Sequence, residues 1–423
     1  MAEVAGSMTP AVSVEERPPY DSPEVLPDGR VRFRLWAPLA REVTVSGTFR
    51  YYARGPWPEQ VPEAFPLVKD GHGLWSYESD PLEPGLYHYG FRVDGVPLVD
   101  PQNPHSRPLG LGSSRSYLDV PGPPGEPAIH QMRPGLARGV THLETLHSHV
   151  LGREVGCWVY TPPGYDPAGS GAGQGGPGAA DYPVLYLLHG RGDDERGWYH
   201  DGRAAVVLDT LIGTGAIRPV VVAMPYGQLT GPPSEGAPGR RPPAAPSVHP
   251  IDAPATRAPG PPSTAAAPPA PSAPNPREAE YFLDEVAGTV ESRYRVRRDP
   301  AGRALAGLSM GGGQSLRIMI SHPGLVGAVG GFSAALLGGG GGGEVDRDAL
   351  GRALAPLRLL YLCRGHLESE RLIPSFDRMV AAVEALAPAV PTLTLHTEIK
   401  RGGHEWQVWI RCLAEFLRLW QPA

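Results

Sequence analysis

Between residues 140 and 420 the chain alternates short apolar runs with segments of helical periodicity, and this alternation constrains the fold more than any other feature. Six apolar runs of strand length are predicted strands: 155–160, 184–188, 220–224, 304–308, 357–362 and 393–399. Four longer segments are predicted helices: 278–294, 312–321, 373–386 and 405–419. Because strands that alternate with helices pair in parallel and are covered on both faces, the sequence predicts an α/β fold with a mostly parallel sheet, residues 140–420.

The segment before this region, residues 18–120, has the pattern of an all-β unit. Apolar and polar side chains alternate at 31–35 and again at 87–93, which is typical of strands with one buried face. Turn residues separate these short runs, so we predict a small β-sandwich. Residues 121–139 are rich in proline and glycine and form the predicted linker between the two units.

Two stretches of low complexity interrupt the second unit. Residues 227–276 consist mostly of Pro, Ala, Gly and Ser, with few large apolar side chains to offset the entropy lost on ordering. We therefore predict a disordered insertion there, with an active-site lid as the alternative. The glycine run at 338–343 is predicted to be a flexible loop, because it lacks the Lys-Ser/Thr pair of a phosphate-binding loop.

Charge and cysteine content restrict the function classes. The formal net charge of −6 is modest and spread along the chain, so neither nucleic acid nor an anionic membrane is an expected partner. No apolar run approaches the roughly 20 residues of a membrane helix, and the N-terminus lacks the pattern of a signal peptide. The three cysteines are widely spaced, which argues against a disulfide framework and is typical of a reducing compartment. These observations predict a soluble cytoplasmic protein.

The strongest signal for chemistry is the pentapeptide Gly-Leu-Ser-Met-Gly at 307–311, which stands directly between a predicted strand and a predicted helix. A nucleophilic serine must stand on a sharp turn, and glycines two positions to either side allow the chain to make it. Ser309 is therefore the predicted nucleophile. The alternative is a glycine-rich helix start capped by the serine, but the strand before it favours the catalytic interpretation.

A second motif, His-Gly-Arg-Gly-Asp at 189–193, follows an earlier predicted strand. In a hydrolase of this architecture, the loop after that strand gives one backbone N–H to the oxyanion, and the residue after the nucleophile gives the other. The backbone amides of Arg191 and Met310 are therefore the predicted oxyanion hole. A metal site at Asp193 and Asp194 is the alternative, although no further His or carboxylate at ligand spacing accompanies them.

A serine needs a base, and the base needs an acid to orient it. His404 lies between the last predicted strand and the last predicted helix, and hydrolases of this fold carry Ser, acid and His in that order along the chain. The acid should then follow the predicted strand at 357–362. Glu368 is the predicted acid, with Glu370 and Asp377 as alternatives. If none of these carboxylates is catalytic, the segment is simply a solvated charged loop.

With these motifs the chain resembles the esterase D group, which contains enterobactin (enterochelin) esterases, feruloyl and acetylxylan esterases, and mycolyltransferases. Five stretches in the same order carry the resemblance: 159–165, 187–190, 307–313, 322–323 with 330–333, and 402–406. The resemblance implies an α/β-hydrolase fold with Ser309 as nucleophile and His404 as base. It also implies that Arg191 and Met310 supply the oxyanion amides. The group usually has Gly-x-x-Asp at the acid position, whereas residues 365–368 are Gly-His-Leu-Glu.

The N-terminal unit resembles the early-set immunoglobulin-like modules that precede such esterases and glycogen-branching-type enzymes. The resemblance lies in residues 31–38, 85–95 and 100–104. Because relatives can contact polysaccharide through this module, Trp36, Trp57 and Tyr87 are candidates for sugar contact. Roles in the core or in the domain interface are the alternative for these three side chains.

Together these features predict a carboxylic ester hydrolase that forms an acyl-enzyme and requires no metal or organic cofactor. The expected substrate is a small-molecule or saccharide ester, either a siderophore lactone or a feruloyl or acetyl sugar ester. Two other functions stay open. Product analysis with and without added alcohol would distinguish an acyltransferase of the mycolyltransferase type from a hydrolase. A chromogenic-ester assay would distinguish a non-catalytic carbohydrate-binding protein from an enzyme.

Overall fold

The computed structural model describes residues 18–109, 113–168, 181–229, 277–334 and 346–422. These residues form an N-terminal unit of β-strands and a larger unit in which helices cover an extended sheet. The predicted loop at 338–343 and most of the predicted insertion at 227–276 lie outside the described residues. No helix within the described ranges is long and apolar enough to cross a membrane.

Two antiparallel sheets make up the N-terminal unit. One contains β1 (Glu24–Val25), β2 (Val31–Trp36), β5 (Val68–Lys69) and β6 (Leu74–Glu78), in the order β1-β2-β6-β5. The other contains β3 (Val43–Gly47), β4 (Phe65–Pro66), β7 (Gly85–Val93), β8 (Val96–Leu98), β9 (Ser106–Leu109) and β10 (Ser113–Val120). Its order is β4-β3-β7-β10-β9, with β8 paired to β7. The predicted small sandwich is confirmed.

The alternation in the sequence of β2 arises from the two faces of its sheet. Val31 and Phe33 are fully buried in the core of the sandwich. Arg32 and Arg34 point to the other face, where both pair with the carboxylate of Glu24. Because a shift of one residue would place the arginines in the core, this pattern fixes the register of the strand.

The three aromatic candidates for sugar contact occupy different environments. Tyr87 is fully buried in the sandwich core, so its selection as a sugar-contacting residue is wrong: on β7 its side chain faces inward. Trp36 is half-buried, and its indole N–H donates to the carbonyl of His72 at 3.3 Å. Trp57 is 49% exposed and therefore remains a candidate.

An eight-stranded sheet forms the centre of the larger unit. Its strands are β11 (Val140–Ser148), β12 (Arg153–Thr161), β13 (Val184–Leu188), β14 (Val221–Pro225), β15 (Arg303–Leu308), β16 (Ala328–Phe332), β17 (Leu359–Leu367) and β18 (Thr394–Gly403). Their order is β11-β12-β14-β13-β15-β16-β17-β18. Pairing is antiparallel from β11 to β14 and parallel from β14 to β18. The predicted mostly parallel sheet is confirmed, although the sequence did not predict β11 and β16 as strands.

Helices cover both faces of this sheet, as predicted. They are α1 (Gly197–His200), α2 (Ala204–Gly213), α3 (Glu278–Glu280), a π-helical stretch (Tyr281–Ala287), α4 (Gly288–Arg293), α5 (Met310–Ser321), α6 (Arg347–Leu354), α7 (Leu372–Leu386) and α8 (Trp406–Trp420). Leu305 of β15 belongs to the core layer that contains side chains of α5 and α7. Its neighbours Ala304 and Ala306 belong to the opposite layer, with side chains of α2 and α8. Apolar residues on both faces explain the continuous hydrophobic run in the sequence of β15.

A disulfide joins Cys363 on β17 to Cys412 on α8, whereas Cys157 is a buried free thiol. The cysteine spacing argued against a disulfide framework, and for this pair that argument is wrong. The two residues are 49 positions apart, and they approach each other only because α8 packs against the sheet beside β17. Consequently, the cysteines give no argument for a reducing compartment.

The two units meet around a buried arginine of the larger unit. Arg401, on β18, donates to the backbone carbonyls of Tyr51 at 2.9 Å and Gly55 at 3.0 Å, and it pairs with Glu83 at 2.8 Å. A buried guanidinium without such partners would be strongly destabilising. These contacts therefore hold the loop of residues 51–56 of the sandwich against the larger unit.

Candidate active site

The carboxyl ends of β13, β15, β17 and β18 lie at one edge of the sheet, because these strands are parallel. Each of these strands leads into one segment of the predicted site. The loop at 189–193 follows β13, Ser309 follows β15, Glu368 follows β17 and His404 follows β18. The structure therefore brings together four segments that are far apart in the sequence.

Ser309 occupies a strained turn between β15 and α5. Its backbone has φ 51° and ψ −112°, a conformation that residues with a side chain rarely adopt. A Cβ atom on Gly307 would lie 2.6 Å from the backbone carbon of Gly311, and one on Gly311 would lie 2.5 Å from the carbonyl oxygen of His189. The two flanking glycines are thus required by close backbone contacts, and the turn leaves the Ser309 side chain partly exposed.

Glu368 and His404 are joined by a hydrogen bond. The distance from Glu368 Oε2 to His404 Nδ1 is 2.8 Å. The Glu368 side chain is fully buried, whereas that of His404 is 43% exposed. A carboxylate acceptor at Nδ1 places the proton on that nitrogen and leaves Nε2 as the proton-accepting nitrogen of the ring.

The two alternative acids lie elsewhere. Glu370 is exposed, and Asp377 pairs with Arg364 at 3.3 Å. Glu368 directly follows the point at which the pairing of β17 with β18 shifts register, between Gly365 and Leu367. The structure therefore brings Glu368, and neither alternative, to the histidine.

Two further residues at this edge were not identified from the sequence. The ring of Trp409 packs edge-on against His404, with ring centroids 5.0 Å apart. The Trp409 indole N–H donates to the hydroxyl of Ser333 at 3.0 Å, and Ser333 is itself held at φ 47° by a bond from its N–H to the carbonyl of Cys363 at 2.7 Å. Ser333 ends a stretch that carries the family resemblance, but nothing in the sequence pairs it with Trp409.

The loop after β13 is anchored by the buried, neutral ring of His189. Burial lowers the pKa of His189, and its Nε2 accepts a hydrogen bond from the Gly227 amide at 2.9 Å. Its Nδ1 then donates to the carbonyl of Gly190 at 2.8 Å. A Cβ atom on Gly190 would lie 3.7 Å from the Cβ of Ser309, so this loop runs directly beside the turn. The structure thus places the segment of Arg191 next to the predicted nucleophile.

Both predicted oxyanion donors are available for a ligand. Met310 is the first residue of α5, where a backbone N–H has no acceptor within the helix. In the described parts of the chain, the Arg191 amide donates to no protein acceptor. Two such donors beside a partly exposed turn serine could bind an anionic oxygen.

The first residues of the predicted insertion, 227–276, contribute to the support of this loop. The carbonyl of Gly227 accepts a bond from the side-chain amide of Gln314 at 2.7 Å. The side-chain oxygen of Gln228 accepts one from the Gly192 amide at 2.9 Å. A deletion in this segment would therefore have to begin after residue 229.

The carboxylates that could have formed a metal site are bound to arginines instead. Asp193 accepts from Arg107 of the sandwich at 2.7 Å, and Asp194 accepts from Arg196 at 3.0 Å. In the described ranges, no group of three or more His, Cys, Asp or Glu residues is arranged to hold a metal ion. The metal interpretation of this loop therefore has no support from the described residues.

Glu405, the residue after His404, is buried and caps the first turn of α8. Its carboxylate accepts from the backbone amides of Gln407 at 2.7 Å and Val408 at 3.1 Å, and it contacts the hydroxyl of Tyr52. Burial raises the pKa of Glu405 to about 7, even though these hydrogen bonds favour the charged form. The histidine loop therefore ends on a carboxyl group that titrates near neutral pH.

A cavity of about 400 Å³ lies at a different place, between β11, the loop after β12 and α4. Its lining includes Glu144, Tyr165 and Tyr294, and none of the predicted catalytic residues. The residues that the sequence predicts to be catalytic therefore lie at the carboxyl ends of the strands and not in this cavity.

Two family models match the chain. The model described as a putative esterase matches residues 148–245 and 252–419, more than half of the chain. Carbohydrate-binding module 48, the isoamylase N-terminal domain, matches residues 21–103. The resemblance predicted from the motifs, an esterase preceded by an immunoglobulin-like module, is confirmed.

Three individual relatives share between 16% and 29% sequence identity with this chain. An endo-1,4-beta-xylanase/feruloyl esterase of Xylanibacter ruminicola is 29% identical over 403 residues, which are 94% of this chain and 45% of that relative. The chain thus spans less than half of the length of this curated relative. The solved enterobactin esterase of Shigella flexneri has a TM-score of 0.61 at 16% identity, covering 92% of both chains. A structure of enterochelin esterase from the same organism gives 0.59 at 16% identity, covering 94% of both chains. These likenesses confirm the fold, an α/β-hydrolase unit preceded by a sandwich.

Because the pKa of Glu405 is raised in the folded chain, we expect this residue to make stability depend on pH. Between pH 4.5 and 7 the folded chain retains a proton that the unfolded chain has released, so stability falls as the pH rises through this window. The effect is on the order of 3 kcal/mol. Melting temperatures of the wild type and of Glu405→Gln, measured from pH 5 to 8, should show a wild-type advantage that shrinks with rising pH. The exposed Glu384→Gln variant should follow the wild type, and a constant gap for Glu405→Gln would contradict the assignment.

Proposed function

The chain belongs to the putative esterase family, and on this basis we propose that it is a serine carboxylic ester hydrolase that works through an acyl-enzyme. The observation that carries the proposal is the 2.8 Å bond between Glu368 and His404, at the sheet edge where Ser309 stands on a strained turn. A hydroxyl becomes an effective nucleophile when a base, itself oriented by a third group, can remove its proton.

In the proposed first step, His404 Nε2 takes the proton of the Ser309 hydroxyl as Oγ attacks the ester carbonyl carbon. The carbonyl oxygen becomes an oxyanion, and the backbone amides of Arg191 and Met310 donate hydrogen bonds to it. Glu368 accepts from Nδ1 throughout, which stabilises the imidazolium. When the tetrahedral intermediate collapses, Nε2 returns the proton to the leaving alcohol.

In the second step, water takes the place of the alcohol. His404 removes a proton from this water, and the resulting attack releases the acid and restores the Ser309 hydroxyl. The 43% exposure of His404 supports this step, because water can reach the imidazole directly. Every group that the cycle requires belongs to the protein or to water.

The substrate is proposed to be a feruloyl or acetyl sugar ester, or a siderophore lactone. The feruloyl esterase from Xylanibacter ruminicola supports the first class, and the enterobactin esterase of Shigella flexneri supports the last. Trp57 favours an aromatic group near the ester. Its exposed ring lies 5.0 Å from the ring of His366, two residues before the proposed acid.

Removal of the nucleophile tests the proposal. Ser309→Ala should lower turnover of a small activated ester by several orders of magnitude, on the order of 10⁶-fold, without unfolding the chain. The reason is that the hydroxyl is the proposed nucleophile, whereas its loss from a partly exposed residue leaves no large cavity in the core. Initial rates with a chromogenic ester measure the effect, and Ser321→Ala, an exposed serine at the end of the same helix, is the matched control. A Ser309→Ala variant with a tenth of the wild-type rate would refute the mechanism.

The acid can be tested separately. Glu368→Gln should keep the shape of the site but favour the wrong imidazole tautomer, which would lower kcat by up to about 10⁴-fold. The controls Glu370→Gln and Asp377→Asn should retain nearly full activity, since neither side chain lies at the histidine. Equal losses in all three variants would show that the charge of this segment matters more than the bond to His404.

Substrate class is decided by a panel of ferric-enterobactin, feruloyl and acetyl esters at matched concentrations. We expect an ester that carries an aromatic group to have a kcat/KM at least about fivefold above the acetyl ester, since one aromatic contact contributes roughly 1 kcal/mol. Trp57→Ala should reduce this preference, whereas Leu39→Ala, a change at an exposed apolar side chain, serves as a control from the same module. An acetyl ester hydrolysed fastest would exclude the aromatic preference and leave the ester hydrolase intact.

A further inference from the structure

Three parts of the proposed site, at the carboxyl ends of β13, β17 and β18, contact the N-terminal sandwich. The loop after β13 carries an oxyanion amide, the loop after β17 carries the acid, and the loop after β18 carries the histidine. Each contact is made by buried or half-buried side chains with hydrogen bonds.

Arg107 of the sandwich holds the loop after β13. Its guanidinium donates to Asp193 at 2.7 Å and to the fully buried carboxylate of Asp201. Tyr117, also from the sandwich, donates to Asp201 as well. Asp193 is two residues after Arg191, so this network fixes the backbone that presents the proposed oxyanion amide.

Tyr52 of the sandwich holds the loop after β18. Its buried hydroxyl lies 3.0 Å from the carbonyl oxygen of Arg401 and contacts the carboxylate of Glu405. These partners stand on either side of His404. A Cβ atom on Gly402 would collide with the same hydroxyl, so the phenol packs directly on the backbone that leads to the histidine.

The end of β17, which leads into the acid, is bound both to the sandwich and to the end of β18. His366, two residues before Glu368, donates from Nε2 to the carbonyl of Pro58 in the sandwich at 2.9 Å. Its Nδ1 accepts from the Gly402 amide at 3.0 Å. The acid loop, the histidine loop and the sandwich therefore form one connected network of hydrogen bonds.

We infer that Tyr52 and Arg107 are positioning residues for the hydrolysis: from the sandwich, they hold the histidine loop and the oxyanion loop in their reactive geometry. The inference rests on the proposed function, because it assigns a role relative to Ser309 and His404. Catalysis depends steeply on such placement, and a shift of about 1 Å can lower a rate by roughly 100-fold. The sandwich is then part of the catalytic apparatus for every ester, including esters without a sugar.

The test uses the full chain with conservative variants. Tyr52→Phe removes one hydroxyl, and Arg107→Lys keeps the charge but loses the planar fork. For a small soluble ester we expect kcat to fall about tenfold in each variant, with KM within roughly twofold of the wild type. The rate at which a fluorophosphonate inactivates Ser309 should fall in parallel, since this reaction uses the same histidine and oxyanion donors.

The matched control is Gln407→Met. Its side chain also makes two hydrogen bonds to the sandwich, to the carbonyl of Pro84 at 3.2 Å and from the amide of Leu86 at 3.4 Å, but it lies on helix α8 and not on a loop. This variant should lose thermal stability and keep its kcat. An equal loss of kcat in the control would overturn the inference, because loosening of the whole interface would then explain the effect.

The remaining outcomes are also decisive. If Tyr52→Phe keeps both kcat and the inactivation rate within twofold of the wild type, the positioning role is refuted. If Arg107→Lys fails to fold, Tyr52→Phe alone tests the inference, because Phe has the same shape as Tyr apart from the hydroxyl. Full activity of Ser309→Ala would instead refute the proposed function, whatever the interface variants show, so the two failures can be told apart.

Discussion

The whole site depends on the close approach of two backbone segments at one edge of the sheet. The turn at Ser309 packs against the carbonyl end of β13, and only glycine fits at 307 and 311, where a Cβ would fall within 2.6 Å of other backbone atoms. This contact sets the side-chain direction of the serine and, at the same time, brings the loop after β13 beside it. A packed core on both faces of β15 holds the turn in a conformation that an isolated peptide would not adopt.

The pair formed by Glu368 and His404 shows how burial divides roles between two titratable groups. The acid is fully buried and the histidine is nearly half exposed, so the carboxylate is shielded from water while the imidazole faces the solvent. A carboxylate in such a position needs hydrogen-bond partners, and Glu368 has a second one in the Gly365 amide at 3.4 Å.

Local patterns predicted the parts of the structure that depend on local physics. The apolar run of β15, the glycines around Ser309 and the position of Glu368 after a strand could all be derived from neighbouring residues. The strand β16 was not predicted because two of its five residues, Gly330 and Gly331, are glycines, which contribute no apolar signal. Pairings between distant segments were missed for another reason. Three such contacts form only after the sheet has assembled: the Cys363–Cys412 disulfide, the hydrogen bond from Trp409 to Ser333 and the contacts of Tyr52. The periodicity of apolar residues along the sequence cannot predict them.

The disulfide also determines what a cut in the chain could do. Cys363 stands before Glu368 and Cys412 stands after His404, so the proposed acid and the proposed base both lie inside the covalent loop that this bridge closes. A protease that cleaves one exposed bond within this loop, for example after Glu370 or in the segment between α7 and β18, would leave both new chain ends attached to the same molecule. The acid and the histidine would then separate only by local unfolding and not by dissociation of a fragment.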